Sequence, residues 1–234
     1  MIKAVFFDWF NTLAHYHPPR EELERQALQE LGLSVSPQTV SRGLYLADKN
    51  FYEENARLPI RQRSREEQAR IYSGYQVIVL KEAGIPPAED IVLKLMTRMR
   101  ELNSTMRFVL YDDVLSTLQA VKARKLTIGL LTNLQREIDS MCRELGIAPY
   151  IDFTVTSGEV GADKPQPPIF LKALEMAKVR PAEAIHVGDQ YQNDCAGARG
   201  VGINPVLIDR GDLYPEIKDC PRIRSLTAVL GLLA

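Results

Sequence analysis

Five times along this chain a short apolar run ends abruptly in a polar or glycine-containing segment. Ile2 and Ala4–Phe7 stop at Asp8. Thr127–Leu131 stops at Thr132-Asn133. Phe153–Thr156 runs into a loop with glycine, Ala184–Val187 into Gly188-Asp189, and Pro205–Ile208 into Asp209-Arg210-Gly211. Unbroken apolar runs of this length suit strands buried on both faces, the condition of a parallel sheet. Helical periodicity fills the intervals: Val114, Leu118 and Val121; Ile138, Met141 and Leu145; Ile169, Ala173, Leu174 and Ala177. Strands alternating with helices predict βαβ units and a doubly wound parallel α/β sheet. The right-handed crossover rule limits the topologies open to it.

Residues 17–105 carry a different pattern. Pro18-Pro19 opens a helix with Leu23, Ala27, Leu28 and Leu31 on one face. Ser36-Pro37 pairs an N-cap with a proline at the first helical position, followed by Val40, Leu44, Ala47 and Phe51. Ser64-x-x-Glu67 fits a capping box ahead of Ile71, Tyr75 and Ile78, with Gly84 as the terminator. Pro87 opens a fourth helix with Ile91, Leu95, Met99 and Leu102. Four amphipathic helices can close a small bundle. The organisation expected is therefore a core of residues 1–16 and 106–234, with residues 17–105 inserted as a helical domain.

Composition narrows the function classes. Among 234 residues, 29 Lys and Arg balance 30 Asp and Glu, a net charge of −1. That argues against a dedicated nucleic-acid binder, which carries a basic excess. No apolar stretch reaches the ~18 residues a membrane span needs. The N-terminal segment lacks a signal peptide's apolar core and cleavage site. Cys142, Cys195 and Cys220 are odd in number and widely spaced, which suits reduced thiols in a cytoplasmic protein rather than a disulfide framework.

In open α/β sheets, ligands bind beyond the carboxyl ends of the strands. The polar residues gathered there are Asp8, Thr132-Asn133, Lys164 and Asp189, with Asp194 five residues further on. Carboxylates, a hydroxyl, an amide and a lysine at one sheet edge suggest phosphoryl transfer. An aspartate can attack phosphorus and carry the phosphoryl group. A carboxylate and a phosphate approach only across a cation, and clustered oxygen ligands (Asp8, Asp189, Asp194) suit Mg²⁺. Thr132 and Lys164 can stabilise the remaining phosphoryl oxygens.

These residues fall into four ordered motifs. They are Asp8-Trp9-Phe10-Asn11-Thr12-Leu13; Leu131-Thr132-Asn133; Gly161-Ala162-Asp163-Lys164-Pro165 followed by Pro168-Ile169-Phe170; and Val187-Gly188-Asp189 with Asn193-Asp194, then Gly197-Ala198-Arg199-Gly200. In order and spacing the chain resembles the haloacid dehalogenase (HAD) superfamily of aspartate-nucleophile hydrolases, whose first motif reads D-x-D-[GN]-T-[LV]. The resemblance implies a Rossmann-like core with a C1-type helical cap. It implies Asp8 as nucleophile, with Thr132, Asn133 and Lys164 orienting the phosphoryl group. It also implies Mg²⁺ held by Asp8, Asp189 and the Phe10 backbone carbonyl, with Asp194 acting through water or as a hydrogen-bond partner. The substrate implied is a small phosphorylated metabolite.

One position departs from that pattern. The family's phosphatases usually carry a second aspartate where this chain has Phe10. It protonates the leaving oxygen and then activates water, work worth roughly 10²–10⁴-fold in rate. Three readings follow. One is an Mg²⁺-dependent phosphatase suited to good leaving groups, with His15 or His17 as substitute proton carriers. Another is a 2-haloacid dehalogenase, whose halide needs no proton and whose subfamily has an aromatic residue at this position but lacks the counterpart of Asp189. The third is a binding protein with little turnover. A basic stretch, Arg57, Arg61, Arg63, Arg65 and Arg70, can attract an anion or simply form a solvated surface.

Overall fold

A computed structural model describes residues 1–134 and 138–233. The chain separates into two compact units, Met1–His15 with Val109–Ala234, and Tyr16–Phe108.

The first unit is built on a sheet of β1 (Ala4–Phe7), β4 (Thr127–Thr132), β5 (Phe153–Thr156), β6 (Ala184–Gly188), β7 (Asn204–Ile208) and the short β8 (Arg222–Ile223). Its order is β5-β4-β1-β6-β7-β8, and its pairings are parallel. This is the doubly wound α/β sheet that the apolar runs predict. The four β1 residues are wholly buried because strands flank them on both sides. Ala4 and Phe6 share one apolar cluster with Ile169, Phe170 and Ala173 of α8 (Pro167–Ala177). Val5 and Phe7 alternate to the opposite face. α5 (Val114–Ala123) also packs against β4. α6 (Ile138–Glu144), α7 (Ser157–Val160) and α9 (Gly197–Gly200) complete the helical connections.

The chain runs from β1 to β4 and β5 on one side, then crosses to β6, β7 and β8 on the other. The topological switch point is therefore at β1. Asp8 N donates to Val187 O at 2.8 Å, aligning the ends of β1 and β6. A crevice at a switch point is where open α/β sheets bind ligands.

The second unit contains α1 (Arg20–Glu30), α2 (Pro37–Arg57), α3 (Arg65–Glu82) and α4 (Glu89–Asn103). Ser36 caps α2 by accepting from Thr39 N, and both bonds of the Ser64–Glu67 capping box form. Gly84, at φ 74°, follows α3. Two details differ from the sequence pattern. Helix α4 starts at Glu89, beyond Pro87. Helix α3 buries Gln76, Val79 and Leu80, whereas Ile71, Tyr75 and Ile78 are only partly covered. Glu24 of α1 is equally unexpected in this core, at 1% exposure. The passages between the units run through β2 (Ala14–His17) and β3 (Arg107–Leu110), which pair as a ribbon. The ribbon escapes a period search because its partners are four residues each and lie far apart in sequence.

Candidate active site

Asp8 follows β1 directly and is 6% exposed. The next residues turn tightly: Leu13 N and Ala14 N both donate to Trp9 O, and Asn11 N donates to Ala14 O. Asn11 sits at φ 58°, a left-handed position that asparagine tolerates well. Phe10 is half-buried inside this turn and bridges to Ala14. Thr12 is wholly buried, and its hydroxyl donates to Asp8 Oδ2 at 3.3 Å. Thr12 belongs to the first motif, and its place in the turn aims it back at Asp8.

Lys164 lies in the loop between α7 and α8 and is 3% exposed. Its Nζ donates to Asp8 Oδ1 at 2.5 Å and to Asp194 Oδ1 at 2.6 Å, so one ammonium joins two carboxylates. Asn133, just past β4, fixes the Lys164 backbone from both sides. Lys164 N donates to Asn133 Oδ1 at 2.7 Å, and Asn133 Nδ2 donates to Lys164 O at 3.1 Å. Thr132 is 2% exposed, and its Oγ1 accepts from Leu134 N at 3.1 Å.

Asp189 and Asp194 come from the segment after β6. A π-helical stretch, Tyr191–Ala196, turns the chain back so that Asp194 crosses over Gly188. Single π-turns within helices often mark functional positions. Asp194 Oδ2 accepts from Gln190 N at 3.0 Å, and its Oδ1 also meets His186 Nε2 at 3.0 Å. His186 lies on β6 and is wholly buried. No sequence signal marks it, because one imidazole inside an apolar strand reads as core.

Burial pushes the Asp8 carboxyl up to about 6 against the pull of Lys164. Asp189 is driven well above the usual carboxylate range, first by burial and then by the charges of Asp8 and Asp194; the Asn11 side chain opposes this. Burial would raise Asp194 too, but the Lys164 charge and the His186 hydrogen bond hold it below the ordinary range. Burial lowers His186 despite Asp194. Burial would lower Lys164 as well, yet Asp194 and Asp8 keep its ammonium charged.

Oxygens of Asp8, Asp189 and Asp194 lie within 4.8 Å of one another. Asp189 keeps some residue exposure, but its Oδ1 is sealed and has no hydrogen-bond partner among the described residues. Fully ionised, these three carboxyl groups would leave two negative charges that Lys164 does not offset, the charge a divalent cation supplies. Hard oxygen donors, an orphaned buried carboxylate oxygen and that deficit together fit Mg²⁺.

The His15 and Tyr111 rings meet at a tilt of 39° with centroids 4.5 Å apart, and the Arg210 guanidinium lies 3.8 Å from the centre of the same Tyr111 ring. His17, by contrast, is exposed. All three cysteines are free thiols. No helix among the described residues is long and apolar enough to cross a membrane.

The haloacid dehalogenase-like hydrolase family model matches residues 2–202. Haloacid dehalogenase-like hydrolase domain-containing protein 3 of Bos taurus is 31% identical over 59% of this chain, and the match spans 55% of that protein's length. The glyceraldehyde 3-phosphate phosphatase of Methanopyrus kandleri is 28% identical over 94% of this chain and 90% of that protein. A HAD phosphatase structure from Thermococcus onnurineus has a TM-score of 0.59 at 23% identity, covering 100% of this chain and 98% of its own. A 2-haloacid dehalogenase structure from Pseudomonas syringae gives 0.57 at 24%, with the same coverages. The two structures share the fold across different chemistries, so the fold does not choose between them. With a family model spanning most of its length and four motifs converging on one sheet edge, this chain belongs to the haloacid dehalogenase-like hydrolases.

Proposed function

We propose that this protein is an Mg²⁺-dependent phosphatase acting on a small phosphorylated metabolite, with Asp8 as nucleophile. The observation that carries this reading is Asp189. Its buried, unpartnered oxygen stands beside Asp8 and calls for a cation. A metal-free reaction on a carboxylate substrate would add further negative charge to that place.

Asp8, Asp189 and the Phe10 carbonyl would hold the ion, with Asp194 behind them. Bound there, Mg²⁺ supplies positive charge between the carboxylates and the phosphoryl group. An Asp8 oxygen forms the bond to phosphorus as the ester P–O bond breaks, giving an aspartyl-phosphate and a free alkoxide or phenoxide. Water then attacks phosphorus, which releases phosphate and restores Asp8. Lys164, fixed by Asn133, stabilises the equatorial oxygens together with the Thr132 hydroxyl. Phe10 has no proton to give, so the leaving group must depart largely unassisted. Aryl or acyl phosphates are therefore the favoured substrate class. The same reading treats residues 17–105 as the family's inserted cap domain.

Phe10 also favours a second reading, 2-haloacid dehalogenation, because halide needs no proton. Both are tested by one panel: 4-nitrophenyl phosphate and 2-chloropropionate, each with and without Mg²⁺. Mg²⁺-dependent release of 4-nitrophenol, lost in Asp8→Asn, is the result expected. Metal-independent chloride release would replace the phosphatase reading. Mg²⁺ binding without turnover of either compound would leave a binding protein.

A further inference from the structure

We infer that His186 is a positioning residue of this site. Donating from Nε2, it anchors Asp194, and through Asp194 it sets the Lys164 ammonium against Asp8. The link to turnover rests on the phosphatase reading, whereas the anchoring itself does not.

The fold alone gives no reason for an imidazole here. His186 lies within a parallel strand at 0% exposure, between Phe6 and Pro205 in register. The Phe170 ring meets it edge to face, with centroids 5.3 Å apart. An aliphatic side chain would fill this place without a polar cost, and a buried imidazole needs partners. Only one of its nitrogens has one. Nε2 meets Asp194 Oδ1 at 3.0 Å, while Nδ1 has no hydrogen-bond partner among the described residues.

That asymmetry sets the tautomer. Ionised Asp194 offers only acceptors, so the proton between the two residues belongs to Nε2. A proton on Nδ1 would leave a buried donor unpaired, which is worse than leaving a bare lone pair there.

The bond also lies at a sensitive place. Asp194 Oδ1 accepts from both His186 and Lys164, and Lys164 Nζ in turn reaches Asp8 Oδ1. The result is a buried chain, His186–Asp194–Lys164–Asp8. Among the described residues, the side chain that would still bond Asp194 Oδ1 without His186 is Lys164, which Asp8 also draws upon. Partners of this outer kind typically govern roughly 10–100-fold in activity or metal affinity.

The test uses the full chain with His186→Leu and His186→Gln, since the Gln amide can reach Asp194 as a donor. On 4-nitrophenyl phosphate, His186→Leu should lose about tenfold or more in kcat with KM little changed, and Gln should recover most of the loss. Mg²⁺ affinity by calorimetry should follow the same order. Full kcat and Mg²⁺ affinity in the Leu variant, or an equal loss in a folded Gln variant, would overturn the proposal. A ¹⁵N imidazole spectrum of the wild-type protein decides the case even if the Leu variant does not fold. It should show a proton on Nε2 of His186, and a bare Nε2 would refute the assignment. If the wild type turns over no aryl phosphate, the phosphatase reading fails separately, and the spectrum and the Mg²⁺ titration still judge His186.

Discussion

A β-carbon added to Gly188 would lie 2.1 Å from Cγ of Asp194. The last residue of β6 must therefore lack a side chain for Asp194 to fold back over the strand end. Gly188→Ala should push Asp194 aside and loosen its bridge to Lys164. Overpacking of this kind costs about 1–3 kcal/mol in stability, and a displacement of about 1 Å in a reacting constellation costs up to roughly 10²-fold in rate. Thermal melting and aryl phosphate kinetics on the variant measure both. Unchanged kinetics would mean that the position of Asp194 is not critical.

Phe10 sets the second prediction. Phe10→Asp restores a carboxyl two residues after Asp8, where a leaving oxygen can be protonated. Turnover of alkyl phosphates should rise by about 10²-fold, while aryl phosphates gain much less. Rapid-quench trapping of a phosphorylated protein adds a check. The wild type should accumulate the adduct, because nothing at position 10 activates the water that would hydrolyse it. A folded variant that is no faster on alkyl esters would remove Phe10 as the limiting feature.

Metal binding should register in stability. A cation that binds only the folded chain stabilises it by about 2.7 kcal/mol at 100 times its dissociation constant. Mg²⁺ should therefore raise the melting temperature of the wild type and have little effect on Asp189→Asn, which lacks the charge of the orphaned carboxylate. Equal shifts in the two proteins would place the ion elsewhere.

The helical unit carries its own pH dependence. Glu24 lies buried in α1, and burial lifts its carboxyl from 4.5 to about 7 against the opposing pull of Arg20 and Gln76. A raised carboxyl binds its proton more tightly in the folded state than in the unfolded one. Its contribution is thus complete below about pH 4.5 and is lost as pH rises through about 7, a swing of roughly 3 kcal/mol. Glu24→Gln keeps the shape and removes the titration. Urea unfolding at pH 5 and pH 8 should show the wild type losing stability over that interval relative to the variant. Parallel curves would show that Glu24 ionises freely in the folded protein.

The gathering of polar residues at this sheet edge is readable in the sequence because most of them stand where an apolar run ends. Asp8, Thr132 and Asp189 each follow directly where such a run stops. Lys164 stands in a glycine-marked loop and Asp194 in the π-helical turn after Gly188, and a parallel sheet brings all five to one edge. The capping residues Ser36, Ser64 and Glu67 are equally readable, since a cap is a local event. What escapes is what tertiary contacts decide. Gln76 and Glu24 are buried although both are polar: α3 turns Gln76 inward with Val79 and Leu80, and its side chain hydrogen-bonds Glu24 there. His186 is hidden by its own strand, where only Asp194, eight residues later and folded back, makes it more than filler. The bonds of the Asn133 side chain to the Lys164 backbone likewise join two distant loops, which no local spacing shows.

The order of the sheet has a consequence for biosynthesis. Ala4 of β1 pairs with Thr127 on one side and Ala184 on the other. The strand that precedes Asp8 thus leaves the ribosome before either neighbour exists. At about 5–20 residues per second, a nascent chain carries that apolar segment unpaired for on the order of ten seconds or more. Meanwhile the helices of residues 17–105, whose core is drawn from nearby sequence, can assemble. Strand β1 is therefore made before both of its partners and paired late, and a chaperone that shields a short apolar segment would act on this protein at that stage.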